Sequence, residues 1–595
     1  MTAPVKVSGR RPLGPAEASL AEASYLGGLQ RVNATATLPH IIAKLEESQV
    51  IANLSRPPRA GEHVGFQFSD SDLYKTMEAI GWEIARTGTT KFDAFLDDSY
   101  ALLQTAQQSD GYLNSWGLST GSPGRWVDLT WGHELYCAGH LIQAAVALNR
   151  AGRPELLQIA RRLADLIVVQ FRDAGTCGHP EIETALVELY RETRERAYLD
   201  TAAAFLHRRG APTTHGGGFG AQYFQDGEPV ASARLAIGHA VRQLYLDAGC
   251  VDVAAETDDQ ALVEAAIVRW ESAHHRRMYV TGAMGSRFQD ESFGDDHELS
   301  SERSYAETCA AIADFQLSWR LLLATGAARY AAAMERTLYN ALPGAVSADG
   351  TAFTYANPHQ VREVSRVQEH TAGRLPWFEC ACCPPNIARL RASLAAYSAF
   401  VDEAGLALAL PMAGRFQLDG GGAVVVGGDL EDGVLTIVPE PGLVGLRIRV
   451  PEWASSIEVD GVAATAADGW LQLPLERGVE LRFDVSPRLL VADPRVDAVR
   501  GCVAVQAGPT VLCAEAHENE SIDSLGIIAE AQLQGGPHGA VGSGAVVETD
   551  DSRLYRAYAD RPPGRREVPL NLIPYRNWGR RGRVAMRVWL PVVAR

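Results

Sequence analysis

The chain has 595 residues, room for two to four domains at roughly 150 residues each. Hydrophobic residues make up 46% and charged residues 21%, which excludes a disordered, collagen-like or coiled-coil protein. The net charge of −17 opposes nucleic acid and anionic membrane as general partners and fits an enzyme acting on neutral, soluble ligands. No apolar run approaches the ~20 residues that cross a bilayer. The opening MTAPVKVSGRRPLGPAEASL is basic but has no apolar stretch before a small-residue cleavage site, so a cytoplasmic location is expected.

From about residue 70 to 400, apolar residues recur at helical spacing between glycine and proline breaks. In HELYCAGHLIQAAVALNRAGRPELLQIARRLADLIVVQF, one helix runs from Glu134 to a stop at Gly152, and a second has Pro154 near its first turn. Three further pairs follow, in EIETALVELYRETRERAYLDTAAAFLHRR, in ARLAIGHAVRQLYLDAGC with ALVEAAIVRWESAHHRR, and in SYAETCAAIADFQLSWRLLLATGAARYAAAMERTLYNAL. Repeated helical hairpins without strands predict a toroid or solenoid of paired helices. After about residue 405 the period falls to two, in ALALALP, AVVVGG, LRIRVP, GWLQLPL and VELRFDV, with Gly, Asp and Pro between runs. That spacing predicts antiparallel sandwiches, with a break near Pro494. The expected domains are 1–400, 401–494 and 495–595.

Nine cysteines without a secretory signal argue against a disulfide framework, and Cys380, Cys382 and Cys383 lie together. Gly132-His133, Gly178-His179 and Gly238-His239 each stand before or at the opening of an amphipathic helix. A fourth helix opens at Glu307-Thr308-Cys309, and a last one after Cys382-Cys383-Pro384-Pro385-Asn386. If alternate helices line a toroid, these five N-termini face one cavity. A single Gly-His pair, by contrast, does no more than make a tight turn.

Glu307 and Cys309 are two apart, about 200° on a helix, so joint chelation requires non-helical backbone at the helix entry. The prolines after Cys383 are expected to forbid helix there. Glu307, Cys309, Cys382 and Cys383 would supply one oxygen and three sulfurs to a tetrahedral zinc ion. Cys380 and Glu379 compete as ligands from the same segment, and the bland alternative is that the thiols are small buried hydrophobes. GSRFQDESFGDDHELSSERS is an acidic loop, readable as solvated surface or a calcium site.

TGAMGSRFQDESF, YAETCA, TYANP and CACCPPNIARL, with HELYCAGHLI and GHPEIETAL upstream, resemble glycoside hydrolase family 127, the β-L-arabinofuranosidase family, over roughly residues 70 to 400. The resemblance implies an N-terminal (α/α)6 barrel followed by β-sandwich domains. It implies a retaining exo-glycosidase for terminal β-L-arabinofuranosides or a similar rare sugar, with a Zn2+ cofactor and a small soluble glycoside as partner. Carried over to this sequence, the nucleophile falls on Cys382 and the metal ligands on Glu307, Cys309, Cys382 and Cys383. The general acid/base falls on Glu291, sixteen residues before Glu307. His133, His179, His239 and Tyr355 fall on sugar-pocket positions. Glu379 departs from the family pattern, where a less acidic residue is expected, and an extra charge there would alter the cavity or join the metal shell.

Two other functions share these features: a carboxylate-only (α/α)6 carbohydrate enzyme, such as an inverting hydrolase, lyase or epimerase, and a sugar-binding protein with a structural zinc. The exact sugar and the choice between monomer and homo-oligomer stay open at this level.

Overall fold

The computed structural model describes residues 9–55, 63–211, 217–288, 290–363, 373–529, 532–549, 554–557 and 564–593. The first eight residues of the basic opening and Gln289 of the acidic loop lie outside the described residues.

Helices dominate the first two thirds. α1 (Tyr25–Val32) passes through a π-helical stretch (Asn33–Thr37) into α2 (Leu38–Glu47). There follow α3 (Asp70–Thr87), α4 (Asp93–Ala106), α5 (Glu134–Arg150), α6 (Glu155–Gln170), α7 (Ile182–Thr193) and α8 (Arg196–Arg208). Next come the single turn α9 (Gly220–Tyr223), α10 (Ala240–Thr257), α11 (Gln260–Arg276), α12 (Thr308–Thr325), α13 (Ala328–Tyr339), the short α14 (Ala341–Gly344) and α15 (Cys383–Ala392). α3, α5, α7, α10, α12 and α15 form an inner ring, each packed on the next, and α15 closes on α3. α2, α4, α6, α8, α11 and α13 lie outside it, completing an (α/α)6 barrel.

Residue pattern explains which helix goes where. α6 buries Leu156, Ile159, Ala160, Leu163, Ala164 and Ile167, a single stripe at helical spacing that suits an outer helix. α5 is buried continuously from Glu134 to Leu148, as an inner helix must be. With no solvent face, the inner helices satisfy polar side chains across the axis. Arg389 of α15 bonds Glu78 of α3 at 2.9 Å, Gln143 of α5 at 2.8 Å and the Tyr245 hydroxyl of α10 at 3.1 Å. Desolvating such a charge pair is costly, and several simultaneous bonds offset that cost.

The strand-rich part holds three sheets. One, of five strands, is ordered Arg11–Pro12, Ala399–Asp402, Gly405–Leu408, Leu446–Arg449 and Trp470–Gln472. The second, of seven, runs from Val462–Ala463 to Ala18–Leu20. One apolar core joins the barrel to both of these sheets, through residues such as Leu317, Phe400 and Ile437. The third sheet, of ten strands, begins at Arg488–Leu490 and has its own cores.

Strand pairing crosses the sequence-based boundaries in several places. Residues 11–12 and 18–20 belong to sheets otherwise built after 399, and Arg488–Leu490, before Pro494, pairs with the third sheet. The antiparallel expectation also has exceptions, since Gly405–Leu408 and Leu446–Arg449 pair parallel. Hydrophobic period identifies a strand but not its partner, which a distant segment supplies.

The third sheet braces the barrel. Gln360–Val361 pairs with Met586–Arg587. His359 is stacked between Tyr279 and Tyr575, at centroid distances of 4.4 and 5.8 Å. The Asn340 side chain donates to Pro509 O and accepts from Val511 N, at 2.9 and 2.7 Å.

Candidate active site

The three Gly-His pairs meet at one end of the barrel. His133 caps α5 in the left-handed region, and His239 caps α10. His179 lies just ahead of α7. Their ring centroids are 5.5 Å apart for His133 and His179, and 5.7 Å for His179 and His239. The glycines permit this crowding: a Cβ at Gly178 would lie 2.1 Å from Thr130 O, and Gly238 has φ +67°.

Hydrogen-bond partners assign each imidazole. His133 donates through Nδ1 to Trp131 O, and His179 through Nδ1 to Pro180 O at 3.1 Å, leaving both Nε2 atoms as acceptors. His239 is the opposite tautomer. Its Nδ1 accepts from Arg242 N at 3.4 Å, so its Nε2–H donates to Glu291 Oε2 at 2.7 Å. Burial, with the Arg242 guanidinium nearby, pushes His133 down to about 3 and His179 well below the ordinary histidine value. These rings are neutral hydrogen-bonding groups, suited to uncharged hydroxyls.

Glu291 is held in a left-handed backbone conformation, φ 60°, by a loop that folds onto the start of α10. There Ala240 N donates to Glu291 O at 3.0 Å and Phe293 N to Gly238 O at 2.9 Å. Besides His239, its carboxylate accepts from the Tyr305 hydroxyl at 2.6 Å and the Tyr355 hydroxyl at 3.3 Å. Burial alone would raise its pKa, but the His239 and Tyr305 bonds outweigh that and hold it down at about 2. Elsewhere in the loop, Glu298 pairs with Arg287 at 2.8 Å and Asp296 with Arg276 at 3.0 Å at the surface.

Beside Glu291 the ends of α12 and α15 converge. Glu307 is the N-cap of α12 with ψ 136°, the non-helical entry that lets it and Cys309 point the same way. Cys382 is the N-cap of α15, and Cys383 is its first residue. The expectation that the prolines forbid helix after Cys383 is wrong. Pro384 and Pro385 occupy the first turn, where the missing N–H groups have no intrahelical partner to lose.

Glu307, Cys309, Cys382 and Cys383 are all buried, and their ligand atoms lie within 4.8 Å of one another. The Sγ···Sγ distances are 3.4, 3.7 and 3.8 Å, and Cys382 Sγ is 3.9 Å from Glu307 Oε1. A tetrahedral ion with sulfur bonds of ~2.3 Å requires sulfurs about 3.8 Å apart. Glu307 Oε2 is buried without a hydrogen-bond partner. The donor set therefore fits a metal ion, and nothing else among the described residues satisfies that oxygen.

Burial pushes the Cys309 thiol up to about 12. Contacts with Cys309 and Cys380 pull Cys382 in opposite directions and, with burial, leave it at about 12 as well. Of the competing ligands, Cys380 is half-buried, 3.6 Å from the Tyr355 hydroxyl, and Glu379 is exposed at the cavity edge; neither belongs to the cluster.

The cavity has a volume of about 670 Å³ and takes in His133, His179, His239, Glu291, Tyr355 and Cys382. Cys383 is not among the lining residues. The sequence reading did not single out Tyr305, Tyr136 or Arg242, nor the wall of Phe66, Phe68, Trp131 and Tyr223. Tyr305 was within reach, two residues before Glu307 in YAETC. The aromatic wall carried no local signal, because its members come from three segments far apart in the chain, around residues 66–68, 131 and 223.

The Beta-L-arabinofuranosidase GH127 catalytic domain matches residues 23–396, and the glycoside hydrolase family 127 C-terminal domain matches residues 487–591. The chain belongs to glycoside hydrolase family 127. It is a glycoside hydrolase. This GH127 chain is 31% identical to a non-reducing end β-L-arabinofuranosidase of Bifidobacterium longum, over 91% of its own length and 92% of that protein. It superposes on a crystal structure of a GH127 β-L-arabinofuranosidase from Geobacillus stearothermophilus T6 with a TM-score of 0.90 and 30% identity, covering 97% of this chain and 100% of that one. A second GH127 β-arabinofuranosidase structure gives a TM-score of 0.89 at 28% identity, covering 98% of each chain. Helical barrel followed by sheets is thus the architecture of the family as well as of this chain.

Proposed function

We propose that this GH127 chain is a retaining, exo-acting glycosidase that removes terminal β-L-arabinofuranose from small glycosides, with Cys382 as nucleophile and Glu291 as acid/base. The sugar assignment is supported by the similarity to β-L-arabinofuranosidases over nearly the whole chain. One observation carries the mechanism: a buried cysteine of a metal-fitting cluster and a carboxylate with three donors line the same cavity, with Glu307 between them. Zinc held by Glu307, Cys309, Cys382 and Cys383 would supply the positive charge that keeps these sulfurs as thiolates at neutral pH.

His133 and His179 bind and orient the sugar by accepting from its hydroxyls at Nε2. For the first step Glu291 carries a proton of its own, in addition to the Nε2–H that His239 keeps 2.7 Å from Oε2. Glu291 gives that proton to the leaving oxygen as Cys382 Sγ attacks the anomeric carbon, so that the C–O bond breaks and a C–S bond forms. Aglycone departs, and Glu291, now the carboxylate its three donors favour, takes a proton from water. That water displaces sulfur from carbon and releases arabinose. Two inversions restore the starting anomer.

A panel of nitrophenyl glycosides, including both anomers of L-arabinofuranose, tests the sugar. NMR of the first-formed product, or transfer to methanol, tests the stereochemistry. A product of inverted configuration would sink the thiolate mechanism and favour the carboxylate-only reading, whichever sugar proves right.

A further inference from the structure

We propose that Lys75 is the counter-charge of the metal cluster, a positioning residue whose ammonium stabilises the loaded Glu307, Cys309, Cys382 and Cys383 site from inside the barrel. The proposal rests on the metal reading above. Lys75 lies on the inner face of α3 with 0% exposure, an unusual place for a lysine. Its Nζ has no hydrogen-bond partner among the described residues. The nearest acid, Asp72, lies at 3.7 Å, and its Oδ1 is also unbonded, so this pair leaves the ammonium's donors uncommitted.

Helix geometry aims Lys75 at the cysteines. Phe68, two residues before α3, and Cys382, at the start of α15, line the same cavity, while Glu78 and Arg389 bond further along the same two helices. α3 and α15 therefore run side by side in the same direction. Lys75 stands about one turn nearer the cavity than Glu78, and helical side chains lean toward the N-terminus. Nζ sits 5.2 Å from the ring centroid of Tyr136, which lines the cavity together with Cys309 and Cys382. Burial alone would lower the lysine's pKa, yet Asp72, Cys382 and Cys309 together lift it above the ordinary value.

Charge accounting gives the reason. One carboxylate and three thiolates around a divalent ion leave two negative charges on four buried residues, and uncompensated buried charge is expensive. No residue of the catalytic scheme neutralises them. A fixed ammonium on the barrel side offsets one, without occupying the sugar's side of the cluster.

The test compares zinc-loaded wild type with Lys75→Met, Lys75→Gln and Lys75→Arg, measuring zinc loss to a chelator and thermal unfolding with and without the metal. Lys75→Met and Lys75→Gln should lose zinc at least tenfold faster, Lys75→Arg at near the wild-type rate. The metal-free neutral variants should lose less stability than the zinc-loaded ones, because without the cluster's charge Lys75 has only Asp72 to neutralise. Wild-type zinc retention in a neutral variant overturns the proposal, as does equal destabilisation of the loaded and metal-free forms, which marks a packing role. If neither neutral variant folds, Lys75→Arg decides: retained zinc supports the charge role, and lost zinc overturns it. Wild type that holds no zinc removes the metal reading itself.

Discussion

His239 Nε2 donates to Glu291 Oε2 at 2.7 Å, joining the cap of α10 to a loop 52 residues later in the chain. Among the described residues, Glu291 is the one carboxylate of its acidic loop that lines the cavity, and its charge is already bonded. Glu291→Gln should therefore fold normally and lose about a hundredfold or more in kcat/KM on alkyl glycosides, which need protonation of the leaving group. Loss on nitrophenyl substrates should be smaller in the first step. Steady-state kinetics on both substrate classes check this, and equal losses would point to another acid.

Tyr305 supplies the shorter of the two phenolic bonds to Glu291, 2.6 Å. A donor to the charged form lowers a carboxyl pKa, so Tyr305→Phe should raise that of Glu291. Because the first step uses protonated Glu291, the alkaline limb of the kcat/KM profile should move to higher pH. A limb that stays in place would mean that it reports a different group.

Glu307 is the one oxygen ligand of the cluster. Purified protein should contain one zinc per chain, and Glu307→Ala should hold at least about a hundredfold less tightly what zinc it binds, with activity falling in parallel. Elemental analysis with a chelator titration measures both. Stoichiometric zinc in the alanine variant would exclude Glu307 from the site.

Part of the acid sensitivity should come from His359, whose ring bonds the Thr281 hydroxyl at 2.8 Å and is packed between two tyrosines. Burial pushes it down to about 3, far below the ordinary histidine value near 6.5. Between those values the unfolded chain binds the extra proton, so this contribution to stability is complete above about pH 6.5 and is lost as pH falls toward 3. The loss is on the order of 1 kcal/mol per pH unit in that window. His359→Gln should show a smaller difference in Tm between pH 7 and pH 5 than wild type, even if its Tm at pH 7 is lower.

Local sequence determined the parts that depend on neighbours along the chain. The stripe of α6, the hairpin around Gly152, and the change from helical to alternating period are local patterns, and the structure has the corresponding elements. The types of residue available at the helix openings, from Gly-His to Glu307-Thr308-Cys309, were legible for the same reason. Tertiary structure alone decided how they meet. α15 starts at Cys383 despite two prolines because a first turn does not need their N–H groups. The N-terminal strands join sheets built from residues near 400, and Lys75 is turned inward, because each completes a surface supplied by a distant segment. Periodicity reports which face of an element is apolar. The partner of a polar atom, whether His239 for Glu291 or Arg389 for Glu78, is set by where the barrel closes, and that closure is a property of the packed chain.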